Sequence, residues 1–251
     1  MKIILAGSTG LVGREVLELC LACESITSIV ALSRRELPAS VTQNPKLKVV
    51  ILDDFLSYTD PVLQEINGAD ACIWTLGKTP TTDSEAARKV CLDYTLAAVA
   101  AFEKVAENNK DGNGNETLPT KKIRFVYCSG AAAERDQTKS LWFIQEYRRI
   151  RVRLCLLYGI LNVYANSQQG QVENELLAHA AAHPDSFELY ILRPGMVLGK
   201  EMTLKDRLVQ GLAPSVKVDV LAGLMLDVAL KGGSQDIFEN SAINELGRGS
   251  N

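Results

Sequence analysis

Three glycines spaced three apart, in Gly7-Ser8-Thr9-Gly10-Leu11-Val12-Gly13, stand directly behind a short apolar run and open a helical pattern. Glycines at such a turn let the backbone bend sharply and bring its amides close to a phosphate, and the positive helix N-terminus adds attraction. The spacing is G-x-x-G-x-x-G rather than G-x-G-x-x-G, so a plain tight strand–helix turn is the competing reading. Placement behind the N-terminal strand of an alternating α/β chain favours a dinucleotide. A second apolar run ends in Leu32-Ser33-Arg34-Arg35. A site for an unphosphorylated adenosine ribose puts an acid here to accept from its hydroxyls. Two guanidinium groups instead suit a 2′-phosphate, which they grip through forked, charge-assisted hydrogen bonds. NADP (NADPH) is therefore the expected coenzyme, and a solvated basic pair is the alternative. Asp53 and Asp54 close a third run, where a carboxylate could meet an adenine amino group. Leu76, Gly77 and Lys78 close a fourth, where the cofactor could approach the backbone; all five residues read equally well as ordinary loop positions.

These groups need a frame that brings strand ends together. Short apolar, largely β-branched or aromatic runs at residues 2–6, 29–32, 48–52, 71–76, 123–128 and 189–192 read as strands covered on both faces. Helical patterns lie between them at 11–23, 61–66 and 84–107, with another inside 142–182. Such alternation predicts a parallel sheet with crossover helices, a Rossmann-type doubly wound α/β fold. Residues 108–120, polar and rich in Gly and Asn, predict a mobile loop. Beyond Gly195 a helix at 218–229 and a strand near 236–239 form a small C-terminal, substrate-side lobe. The chain is thus expected to be one domain, with its Rossmann core over 1–195 and the lobe over 196–251.

The composition is consistent with that frame. The chain has 251 residues and a formal net charge of −3, with 47% apolar and 23% charged types. A chain this long buries a large core without disulfides or a structural metal. Mild acidity argues against a nucleic-acid binder held by a basic face. No apolar run reaches the roughly 20 residues that a membrane-spanning helix needs, and the apolar start is too short for a secretory signal. A cytoplasmic protein is expected. The six cysteines are scattered. Cys20 and Cys23 form a C-x-x-C with no second ligand pair, at the end of a helix rather than at its thiolate-stabilising start, so they read as packed thiols. His179 and His183 lie four apart on a helix, but Ala180 stands where a metalloprotease helix carries its glutamate, and they read as surface residues.

Taken in order, GSTGLVG at 7–13, SRR at 33–35, LG at 76–77, YCSG at 127–130 and LRPG at 192–195 resemble an atypical short-chain dehydrogenase/reductase. The likeness is to the NADP-binding branch holding the Tat-interacting-protein-like oxidoreductases and the fungal nucleoside-diphosphate-sugar epimerase-like (NmrA-like) proteins. It spans nearly the whole chain. It implies that Ser129 hydrogen-bonds a substrate oxygen and that Arg193-Pro194-Gly195 lines the nicotinamide side. The family's Tyr-x-x-x-Lys stands here as Tyr147-Arg148-Arg149-Ile150-Arg151. In that chemistry the tyrosine donates a proton to the oxygen as hydride reaches carbon, while the lysine lowers the tyrosine pKa and holds the ribose. Arg151 keeps the charge, but its planar, delocalised cation is not equivalent to a compact ammonium. Tyr147 also reads as an ordinary helix tyrosine.

One interval departs from the family pattern. There, Gly-x-x-Glu follows the lysine position at once; here residues 152–169 (VRLCLLYGILNVYANSQQ) intervene before Gly170-Gln171-Val172-Glu173. Joining Arg151 to Gly170 restores one helix. Val152-Arg153 is encodable as GTACGT, Ala165-Asn166 as GCTAAC and Gln169 as CAG. These are donor, branch-point and acceptor sequences in one frame, so a translated, retained intron is one reading and a genuine insertion the other.

The function these features imply is hydride transfer between NADPH and a small carbonyl or alcohol substrate. Two alternatives stand beside it: a catalytically weak NADP-binding scaffold or redox-sensing interaction module, and a sugar-nucleotide epimerase. Substrate identity and oligomeric state leave no pattern in the residues.

Overall fold

A computed structural model of the chain describes residues 1–77, 84–108, 122–136, 163–201 and 213–247. The strands are β1 (Lys2–Ala6), β2 (Ser28–Ser33), β3 (Leu47–Ile51), β4 (Ala71–Trp74), β5 (Ile123–Cys128), β6 (Phe187–Arg193), β7 (Met196–Leu198), β8 (Ser215–Lys217) and β9 (Ile237–Glu239). The helices are α1 (Leu11–Ala22), α2 (Ala39–Thr42), α3 (Asp60–Ile66), α4 (Ser84–Arg88), α5 (Tyr94–Asn108), α6 (Val163–Ala182), α7 (Val218–Lys231) and α8 (Asn240–Leu246). A π-helical turn, Lys89–Asp93, joins α4 to α5, so the stretch expected as one regular helix is widened near its start.

Seven strands form one sheet in the order β3-β2-β1-β4-β5-β6-β9, and every pairing is parallel. The fold is Rossmann-type, as the alternating pattern implies. The central strands are apolar because both faces are covered: all of Ala71–Trp74 is buried, while edge strand β3 is only half-buried. On one face α3, α5 and α6 pack over Trp74, Phe125 and Phe187. On the other, α1, α7 and α8 pack over Ile3, Leu5, Ile73 and Val126. Helix α1 seats Gly13, Val16, Leu17 and Cys20 on the sheet, the three-and-four spacing of a helix buried along one stripe.

The chain beyond Gly195 is woven into this body. β9 extends the main sheet beside β6, and α7 packs against α1. Among the described strands, only the two-stranded β7–β8 ladder lies outside the main sheet. Among the described residues no helix is long and apolar enough to cross a membrane.

Candidate nucleotide site and buried carboxylate network

Because the strands run in parallel, Ala6, Ser33, Trp74, Cys128 and Arg193 all end at one edge of the sheet. There the glycine turn opens a cavity of about 300 Å³ lined by Gly7, Ser8, Thr9, Leu32, Ser33, Arg34, Arg35, Phe55 and Leu76. Gly7 adopts φ +92°, a left-handed value that favours glycine. A Cβ at Gly7 would meet the Thr75 carbonyl at 2.8–2.9 Å, and one at Gly13 would collide with the Gly7 carbonyl. The outer glycines therefore exist for close approach: strand, turn and helix touch through backbone alone. Thr75 completes the seam by donating its Oγ1 hydrogen to the Ala6 carbonyl at 2.8 Å.

An anion would fit the turn. Gly10 caps α1 without a side-chain hydrogen bond, and no acid stands in the first helical turn. Ser8 Oγ is 4% exposed at the residue level and has no hydrogen-bond partner among the described residues. An orphaned hydroxyl of this kind costs ~1–3 kcal/mol, which a phosphate oxygen would recover. Leu11 is 55% exposed beside this turn, and Val12 packs into the α1 face of the core.

Ser33 is buried and ties the second turn by donating from Oγ to the Arg35 carbonyl at 2.7 Å. Arg34 and Arg35 are exposed at the cavity, and neither guanidinium has an ion pair among the described residues. The third-strand acids stand apart from that cavity. Asp53 is exposed, and Asp54 accepts from Lys89 at 2.7 Å and from the Leu56 amide at 3.1 Å. Lys89 holds the Asp54 carboxyl below its usual range. Gly77 is exposed with open space around it; Lys78, Tyr147 and Arg151 lie outside the described residues.

Ser129 follows β5 and is also buried, but it faces inward. Its Oγ donates to Glu173 Oε1 at 2.6 Å. Glu173, fully buried on α6, also accepts from Arg135 Nε at 2.7 Å and from Arg193 Nε at 2.9 Å, and it pairs with Arg193 Nη2. These bonds raise the Arg193 pKa above its ordinary value. Arg193 Nη1 reaches Glu239 at 3.1 Å, so Arg193 is a structural clamp between α6 and β9. Pro194 accepts the Ala131 amide at 2.8 Å through its carbonyl, and Gly195 donates to Asn240 Oδ1 at 2.8 Å. The residues after β5 are thus held on both sides, by α6 and by the turn after β6. Phe55, Thr75, Arg135 and Glu173 are the site residues that the sequence reading did not assign. Glu173 alone carried a signal, the Gly-x-x-Glu.

No family model matches the chain. Leucinostatins biosynthesis cluster protein T of Purpureocillium lilacinum is 29% identical over 200 residues, which is 78% of this chain and 65% of that protein. The match thus spans less than two thirds of the curated relative. Yeast methylglyoxal/isovaleraldehyde reductase Gre2, solved with NADPH, superposes with a TM-score of 0.63 at 17% identity over 95% of this chain and 78% of its own. The dTDP-glucose 4,6-dehydratase of Bacillus anthracis, solved with NAD, gives 0.63 at 10% identity over 95% of this chain and 74% of its own. This chain has the fold of the NAD(P)-binding short-chain and epimerase-like reductases and dehydrogenases.

Proposed function

We propose that this chain, with the fold of those NAD(P)-binding enzymes, is an atypical short-chain dehydrogenase/reductase that moves hydride between NADPH and a small carbonyl or alcohol substrate. One observation carries the reading: a glycine-built cavity joins an uncapped helix start and, among the described residues, an orphaned Ser8 hydroxyl and two arginines without an ion pair. The first-turn amides of α1 and Ser8 would hold the pyrophosphate, and Arg34 and Arg35 the 2′-phosphate. The fold admits NAD as readily as NADPH, so the choice of NADP rests on this arginine pair. When bound, the reduced nicotinamide would supply the hydride.

In this reading Tyr147 delivers its Oη proton to the substrate oxygen, and Arg151 lies along the ribose. Leu76 supplies an apolar wall to the cavity, and Arg193-Pro194-Gly195 fixes the position of the loop after β5. Resemblance to a biosynthesis-cluster protein supports a small-molecule substrate. NADPH oxidation over a panel of aldehydes and ketones tests the proposal, with Tyr147→Phe as the comparison. A rate that falls by about 10²-fold or more in the variant supports it. An unchanged rate removes the tyrosine from the chemistry.

A second reading, an NADP-loaded scaffold with little turnover, is favoured by Ser129. A serine hydroxyl has one hydrogen, and Ser129 gives it to Glu173. It is left to accept rather than to donate toward a substrate oxygen. Arginine in place of the lysine points the same way. Full NADPH binding with no carbonyl turnover would select the scaffold.

A further inference from the structure

We propose that Glu103, His179 and His183 form a zinc-class divalent metal site that joins α5 to the end of α6. Glu103 projects from α5, His179 lies in the last turn of α6, and His183 follows its end. Glu103 Oε1 is 3.2 Å from His179 Nδ1 and 3.2 Å from His183 Nε2. All three ligand atoms lie within 4.8 Å of one another. Around a tetrahedral Zn²⁺ with bonds of about 2.0–2.2 Å, neighbouring ligand atoms stand roughly 3.3–3.5 Å apart. The carboxylate oxygen already sits at close to that spacing from both nitrogens. The remaining adjustment falls to His183, the most exposed of the three.

The surroundings suit a cation. The imidazoles stack with centroids 4.5 Å apart, and the edge-on ring of Phe187, 4.6 Å away, fixes the orientation of His179. The negative end of the α6 dipole faces the cluster. Two imidazoles and one carboxylate select zinc, nickel, cobalt or copper over magnesium or calcium, and three protein ligands leave a fourth position for water. Sequence spacing alone leaves the pair without its carboxylate, because Glu103 comes from another helix. The same α6 carries Glu173, so a metal here would brace the helix that holds Ser129, Arg135 and Arg193.

Zn²⁺ titration of the tag-free full chain against a chromophoric chelator tests the site, with His183→Ala and Glu103→Gln run in parallel. The expected result is one saturable site per chain that survives millimolar Mg²⁺ and weakens by roughly tenfold or more in each variant. Bound Co²⁺ should show d–d absorption without thiolate charge transfer, which separates this cluster from Cys20 and Cys23. No saturable binding, equal affinity in both variants, or a thiolate band on Co²⁺ would overturn the proposal.

Discussion

Glu173 answers for more of the site than any other side chain. It is fully buried, and Ser129, Arg135 and Arg193 all donate to it. Removing one member of a buried charge network costs ~3–5 kcal/mol when its partners are left uncompensated, and Arg135 and Arg193 are here only partly exposed. Glu173→Gln keeps the shape and loses the charge, so a loss of that order in urea unfolding is the expected result. A change below about 1 kcal/mol would show that the arginines find other partners. The thiols separate by the same logic of environment. Cys23 lies 3.1 Å from Ser25 Oγ, a contact that lowers its pKa, whereas burial pushes Cys20 and Cys128 up to about 12. A lower pKa gives more thiolate at neutral pH. Iodoacetamide should therefore label Cys23 first among the described cysteines, and Ser25→Ala should slow that labelling. Peptide mapping after brief exposure reads the order.

At the scale of elements, α6 decides how the segment after β5 is held. A Cβ on Gly170 would fall on the Glu134 carbonyl and 2.8 Å from the Arg135 amide, while Asn174 donates to the Arg135 carbonyl at 2.8 Å. Gly170→Ala should push helix and loop apart and cost ~1–3 kcal/mol, read as a fall in melting temperature; no change would mean the seam yields freely. From Val163 the helix runs unbroken through Gly170, so the last seven residues of the interval 152–169 are helical in this chain. Deleting 152–169 is expected to raise soluble yield and melting temperature, since an apolar, β-prone stretch is removed. No gain in either would speak for a genuine insertion. Transcript reads across the junction test the intron directly.

Across the whole molecule, the seven strands of the main sheet and their parallel direction were legible because a doubly covered sheet needs unbroken apolar runs, whereas the three-residue strands β7 and β8 left no such run. The glycine turn was legible because its backbone demands are local: φ at Gly7, and contact between Gly13 and the Gly7 carbonyl. Arg135, Thr75 and the Glu103–histidine cluster were hidden, since each depends on a partner brought close only by the fold. The role of the C-terminal segment was hidden for the same reason. Arg124 of β5 donates to the Ala229 and Leu230 carbonyls at the end of α7, and β9 completes the sheet. The chain should accordingly unfold in one transition by fluorescence and circular dichroism alike; separated midpoints would define an independent lobe.

The central claim is that the glycine-built cavity takes a 2′-phosphorylated nicotinamide dinucleotide. Its most direct test is a pair of calorimetric titrations of the folded chain, one with NADPH and one with NADH. The account predicts NADPH binding tighter by about 10-fold or more, an advantage that collapses in an Arg34→Ala, Arg35→Ala double variant while NADH affinity stays level. Equal affinity for the two coenzymes, or binding of neither, would contradict it.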